Sequence, residues 1–189
     1  EIHAIAKENE IPVHLDGARL FNASVASGID AKAFAAYTDS VQICLSKGLG
    51  APVGSIIAGT KDFIVKARKW RKLLGGGMRQ AGIIAAPGLV ALKTMVDRLA
   101  EDHENAKILA DGLQDIPGLN IDNKVETNII IVNTEKANLT SEEFLNIIKQ
   151  KGVLANAFGP HTVRFTTHYD VSRSDIKDAI DHIHQLMKV

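Results

Sequence analysis

The stretch Ser40-Val-Gln-Ile-Cys-Leu45-Ser-Lys47-Gly-Leu-Gly-Ala-Pro52-Val-Gly-Ser55-Ile-Ile-Ala58 decides how the first half of the chain is read. Ser40 to Leu45 reads as a β-strand, and Val53 to Ala58 reads as another, hairpinned to it. Ser46 to Pro52 is the loop between them and carries two glycines. Lys47 therefore stands in a glycine-flanked loop at the C-terminal end of an apolar strand, beside Ser46. Ligands of α/β sheets bind outside the C-terminal ends of strands. A lysine at such a place can lose hydration, drop its pKa and become a nucleophilic amine for carbonyls. The small residues on both sides leave room for a ring to approach. The alternative is an ordinary solvated lysine in a turn.

Upstream, Ile11-Pro-Val-His-Leu15 reads as a short buried strand, with Pro12 at its start, where a missing N–H does least harm. Asp16-Gly-Ala-Arg19 reads as the turn that leaves it. Asp16 follows His14 by two, so both side chains leave the same strand face. A carboxylate there suits a cationic partner such as a pyridinium nitrogen, which it keeps protonated so that the ring can take up electrons. The alternative is an Asp that caps its own turn. His14 is either support behind Asp16 or a satisfied core histidine. Arg19, three residues on, can share the same cavity. Further upstream, Ile2, Ile5 and Ala6 share one helical stripe. The chain starts inside that helix with no initiator Met, so it is expected to be a piece of a longer protein.

Downstream, Asn22–Ala26 and Ala31–Ala36 read as short helices, split by Gly28 and restarted at the N-cap candidate Asp30. Lys61–Leu73, Gln80–Met95 and Arg98–Gln114 read as longer helices. Gly75–Gly77 breaks the first from the second, and Pro117-Gly118 stops the third. Strands are expected at 128–132, 153–157 and 162–166, and helices at 141–151 and 172–188. The alternation of strands and helices predicts α/β layers. The domain division expected is 1–96 as part of a large domain, 97–118 as a connecting helix region, and 119–189 as a small α/β domain.

In the strand around Arg164, Val163 and Phe165 face one way and Arg164 the other. A guanidinium can hold a carboxylate through a bidentate fork, or make an ordinary surface salt bridge. His161 and His168 flank this strand and carry little weight as site residues. The basic segment Lys66 to Arg79, which contains Lys72, could hold a phosphate or form a solvated helix face. No H-x-x-x-H or C-x-x-C spacing points to a metal. Cys44 is read as a small buried hydrophobe.

Composition excludes several classes. The 189 residues carry 22 Lys and Arg against 22 Asp and Glu, a formal net charge of zero, which argues against nucleic acid or a polybasic membrane patch as partner. One cysteine excludes a disulfide framework and fits a reducing, cytoplasmic compartment. No apolar run is long enough to span a bilayer.

Three ordered motifs then carry a resemblance. His14-Leu-Asp16-Gly-Ala-Arg19-Leu-Phe-Asn22, Leu45-Ser46-Lys47-Gly-Leu-Gly-Ala-Pro-Val-Gly-Ser55 and Gly75-Gly-Gly-Met-Arg79-Gln resemble the low-specificity L-threonine aldolases. Arg164-Phe-Thr-Thr-His168-Tyr-Asp-Val-Ser172 resembles that family's C-terminal segment. The resemblance implies pyridoxal 5′-phosphate (PLP) as cofactor and fold type I, the aspartate-aminotransferase fold. It implies cleavage of threonine or allo-threonine, β-hydroxy-α-amino acids, to glycine and acetaldehyde. Residue by residue, it makes Lys47 the lysine that carries the cofactor covalently and Asp16 the partner of its pyridine nitrogen. Arg19 falls near the cofactor's 3-oxygen and the substrate carboxylate, and Arg164 clamps that carboxylate. Lys72 and Arg79 fall near the site at a subunit interface. The family's phosphate loop and ring-stacking histidine belong to an N-terminal part that this sequence does not include, so that part is an expected partner. A homodimer or homotetramer is expected as well. Alternatives are another fold type I reaction (β-elimination, racemisation or transamination) or a catalytically incomplete piece that acts only with a partner chain.

Overall fold

The computed structural model describes residues 1–188. Two compact units divide the chain, Glu1–Leu99 and the residues from Ala100 onward.

In the first unit the elements run α1 (Ile2–Glu8), β1 (His14–Asp16), α2 (Leu20–Ser27), α3 (Ala31–Ala35), β2 (Ser40–Cys44), β3 (Ser55–Gly59), α4 (Lys61–Leu73) and α5 (Gly82–Thr94). The strands form one sheet in the order β1-β2-β3. β1 lies parallel to β2, as the intervening helices α2 and α3 require, and β3 returns antiparallel through the glycine loop. Asp16, expected in the turn, is the last residue of β1 and is paired with Gln42. The reason lies in Gly17: its N–H donates to the Gln42 carbonyl at 2.8 Å, and a Cβ on Gly17 would stand 2.8 Å from that oxygen. Only glycine lets the chain approach that closely, and the approach extends the pairing through Asp16. α2 ends on Gly28, whose φ of 70° suits a left-handed cap. Asp30 caps α3, its side chain accepting from the Lys32 N–H at 2.8 Å. Leu45, Leu49, Ala51, Ala91 and Leu99 form the buried core of this unit.

The second unit is built on α6 (Leu99–Gln114), β4 (Asn120–Ile121), β5 (Ile129–Asn133), α7 (Ser141–Lys149), β6 (Asn156–Gly159), β7 (Thr162–Thr166) and α8 (Arg173–Leu186). Its sheet is antiparallel throughout, in the order β4-β5-β7-β6. β5 and β7 alternate half-buried and buried residues, so Ile130, Val132, Val163 and Phe165 all enter the core. Ala106, Leu109 and Leu113 of α6 belong to the same core, within the region read from sequence as a connection. α7 and α8 each begin with a full capping box, Thr140 with Glu143 and Ser172 with Asp175. β6 lies three residues later than expected, because Val153 and Ala155 pack against the core before the strand starts. β4, two residues long, left no sequence pattern to read.

His103 on α6 is buried, and that burial pushes its imidazole below the usual histidine range, aided by Lys107 and opposed by Asp102. A histidine whose folded pKa is lowered takes up its proton more readily in the unfolded chain. Stability is therefore lost as pH falls from the unfolded histidine value, about 6.5, through the folded one. Thermal melts between neutral and mildly acidic pH are expected to fall more steeply for the wild type than for His103→Gln.

Candidate active site

The site is built on the sheet of the first unit. Paired residues in neighbouring strands share a face, so register alone groups side chains. His14 pairs with Ser40 and Asp16 with Gln42; across the hairpin, Gln42 pairs with Ile57 and Cys44 with Ser55. His14, Asp16, Ser40, Gln42, Cys44, Ser55 and Ile57 therefore line one face, and it is mostly polar. Leu15, Val41, Ile43, Ile56 and Ala58 line the other. Side-chain bonds follow the same grouping: His14 Nδ1 to Ser40 Oγ at 2.8 Å, Gln42 Nε2 to Cys44 Sγ at 3.2 Å, and Ser55 Oγ to Cys44 Sγ at 3.4 Å.

Lys47 follows β2 in a tight turn. Its carbonyl accepts the Gly50 N–H at 2.9 Å, and Gly50 has φ 69°, a value glycine tolerates best. Leu45 bonds across the loop from both backbone groups, its N–H donating to the Gly54 carbonyl at 3.0 Å and its carbonyl accepting from Ala51 at 3.0 Å. Leu45, Leu49 and Ala51 are buried and anchor the turn, while Lys47 itself is exposed. Gly48 is wedged under it: a Cβ there would stand 2.9 Å from Leu99 Cδ2. The lysine is thus an exposed amine on a backbone pinned by core contacts and hydrogen bonds, which gives its base a fixed position.

Cys44 ends β2 three residues before Lys47. Hydrogen bonding by Ser55 is the main cause holding the Cys44 thiol below the usual thiol range. Burial opposes it, while Gln42 and, more weakly, the positive charge of Lys47 act in the same direction as Ser55. Cys44 was read from sequence as a small buried hydrophobe. In the structure it is half-buried and a hydrogen-bond acceptor. The sequence carried a signal for this: Ser40, Gln42 and Cys44 sit at alternate positions of one strand, so they share a face.

Other residues singled out from the sequence fall as follows. Asp16 is exposed, and its Oδ1 accepts the Ala18 N–H at 3.2 Å, so it does cap its own turn. A carboxylate has acceptor capacity for a further partner, so the two readings of Asp16 are compatible. His14 is exposed and bonded to Ser40 rather than sequestered in a core. Arg19 is half-buried at the N-cap of α2. Ser46 is exposed, its hydroxyl donating to the Gly54 carbonyl at 3.3 Å. Lys72, in the last turn of α4, and Arg79, in the loop before α5, are exposed; among the described residues no hydrogen bond joins either to Lys47.

In the second unit Arg164 lies on β7, opposite in direction to Val163 and Phe165, as its spacing implied. Its guanidinium carbon stands 5.9 Å from the centre of the Phe158 ring, and its Nε is buried with no hydrogen-bond partner among the described residues. A buried guanidinium donor left unmatched is unfavourable on its own and suits an anionic oxygen. His161 has a structural role, its Nδ1 2.9 Å from the Leu139 carbonyl oxygen.

The chemistry of this donor set fits PLP. An amine suits an aldehyde carbon, a carboxylate suits a protonated ring nitrogen, and guanidinium groups suit a phenolic oxygen or a carboxylate.

Comparison with solved structures defines the class. The chain is similar to Leishmania major threonine aldolase (TM-score 0.75, 20% identity, over 98% of this chain and 55% of that one). It is also similar to a candidate L-allo-threonine aldolase from Listeria monocytogenes (TM-score 0.81, 23% identity, over 98% and 55%). At such identities the likeness shows the fold, which is the α/β fold type I. The Beta-eliminating lyase family model matches residues 1–137, and the chain belongs to that family. Among curated relatives, low-specificity L-threonine aldolase 1 of Arabidopsis thaliana is 42% identical over 99% of this chain and 53% of its own length. The low specificity L-threonine aldolase of Escherichia coli K12 is 43% identical over 96% and 53%. The chain spans about half the length of the curated relatives it matches.

Proposed function

We propose that this chain is the part of a PLP-dependent threonine aldolase that carries the cofactor lysine, and that the whole protein cleaves L-threonine and L-allo-threonine to glycine and acetaldehyde. The observation that supports this best is the pairing of two features. One is Lys47 on a core-anchored glycine turn; the other is Asp16 on the polar face of the sheet whose strand β2 leads into that turn. Relatives above 40% identity that carry the aldolase name support the choice of reaction. When bound, PLP supplies an electron sink for the bond at the substrate α-carbon.

The chain's own residues have separate tasks. Lys47 would hold the cofactor covalently through its ε-amine. Asp16 keeps a proton on the ring nitrogen by offering it a negative partner. Arg19 would serve the cofactor's 3-oxygen and the substrate carboxylate. Arg164 takes the carboxylate, and its buried, unmatched Nε supports that role. Arg164→Ala is expected to raise the KM for threonine by roughly tenfold or more, the scale of one lost charge-assisted hydrogen bond at about 1.5–3 kcal/mol. Arg164→Lys restores little of it, because an ammonium cannot form the planar fork. Steady-state kinetics on both variants check this.

The same reading extends to the rest of the molecule. The remaining half of the enzyme completes the site, the subunits assemble as a homodimer or homotetramer, and Lys72 and Arg79 face a subunit interface. The enzyme works in the cytoplasm and contributes to glycine formation. No helix among the described residues is long and apolar enough to cross a membrane.

The family to which the chain belongs favours one second reading, β-elimination from an amino acid. Product analysis separates the two. Threonine cleavage yields equal amounts of glycine and acetaldehyde, whereas elimination from a serine-like substrate yields ammonia and a keto acid. Keto acid without glycine would reject the aldolase assignment.

A further inference from the structure

We propose that Phe158 is a positioning residue for Arg164: its ring covers one side of the guanidinium, holds it in place and leaves the N–H edge open for the carboxylate of the amino-acid substrate. This rests on the reading of Arg164 as the carboxylate clamp. The guanidinium carbon stands 5.9 Å from the centre of the Phe158 ring, within the range over which a cation is drawn to an aromatic face. Strand register explains how the ring comes there. Asn156 of β6 stands opposite Arg164 of β7, and Phe158, two residues on, leaves the same face of the sheet. The ladder then bulges: two steps of β6, from Ala157 to Gly159, meet one step of β7, from Val163 to Thr162. A bulge gives a strand extra local twist and re-aims the side chain it carries. The two strands are drawn close at that point, since a Cβ on Gly159 would stand 2.5 Å from Thr162 Oγ1.

Core packing does not account for the ring. Phe158 is 62% exposed and lies outside the core of the second unit, which takes Val163 and Phe165 from the opposite face of β7. What the ring touches is a guanidinium whose Nε is buried and has no hydrogen-bond partner among the described residues. A carboxylate or carbonyl neighbour would occupy the fork that a substrate needs. An aromatic ring attracts the cation through its face and uses none of the guanidinium's N–H donors. The ring also keeps water from one side of the guanidinium, and an ion pair formed beside it is stronger for that.

The test uses the full-length enzyme loaded with PLP. Glycine binding is measured from the change in visible absorbance, alongside steady-state kinetics with threonine. Phe158→Leu keeps an apolar side chain but has no ring face. It is expected to weaken glycine binding and raise the KM for threonine by roughly threefold to tenfold, the scale of one cation–ring contact, with a smaller change in kcat. Phe158→Tyr restores the face and is expected to stay within about twofold of wild type. The decisive measurement is a double-mutant cycle. In an Arg164→Ala background, Phe158→Leu is expected to change glycine binding by less than about twofold, because the group it acts through is gone. An equal loss in both backgrounds, or wild-type glycine binding by Phe158→Leu, overturns the proposal. No response of the wild type to glycine, or a response that Arg164→Ala leaves unchanged, overturns instead the reading of the site on which the proposal rests, so the two failures are told apart.

Discussion

Replacement of Lys47 by alanine in the full-length enzyme is expected to lower threonine cleavage by roughly three orders of magnitude or more, the scale on which covalent catalysis loses its nucleophile. The side chain is solvent-exposed, and the turn beneath it is held by Leu45, Leu49 and Ala51 and by backbone bonds that alanine preserves. The melting temperature is therefore expected to stay within a degree or two of wild type, on the order of half a kcal/mol for a surface change. Lost turnover with preserved stability is the diagnostic combination. A loss of both would mean that the lysine side chain supports the fold. Added free amines, which can replace the missing base but not its position, are expected to restore only a small part of the rate. A Lys47→Ala enzyme that still cleaved threonine at the wild-type rate would remove the basis of the assignment.

Phe144→Ala is expected to destabilise the second unit by about 3–5 kcal/mol, a large share of what a domain of this size commands. Phe144 is 0% exposed on α7, and its cluster includes Ile130, Val132, Val163 and Phe165 from the sheet and Ile148 from its own helix. Alanine leaves a cavity that strands β5 and β7, paired over five residues, cannot collapse to fill. The expected result in denaturant is an early transition for this unit. Ile148→Val, which removes one methylene from the same core, is expected to cost only about 0.5–1.5 kcal/mol. Arg164 lies on β7 between Val163 and Phe165, two members of that core. Phe144→Ala should therefore also weaken substrate binding under conditions where the native state still predominates. Equal unfolding midpoints for Phe144→Ala and wild type would contradict the core described here.

Local pattern accounts for much of what could be read before the fold was known. The helices α4, α6, α7 and α8 lie within about two residues of where period and caps put them, because apolar spacing and Asp or Ser and Thr at N-caps are local signals. Lys47 and Asp16 stood out because each follows a strand, and the glycines around Lys47 mark a turn before any tertiary contact is known. Val163, Arg164 and Phe165 were sorted to their faces by alternation alone.

The tertiary structure decided what depends on register between strands distant in sequence. Asp16 joins β1 because Gly17 comes within hydrogen-bonding distance of Gln42, twenty-five residues later in the chain. Cys44 turns from an expected core hydrophobe into a hydrogen-bond acceptor on the polar sheet face because the hairpin sets Ser55 opposite it. Whether Arg164 has a partner for its Nε depends on burial, which no window of sequence reports. The physical reason is the same in each case. Strand and helix types follow from neighbours in the chain, whereas the charge and hydrogen bonding of a site are set by side chains that only the sheet brings together.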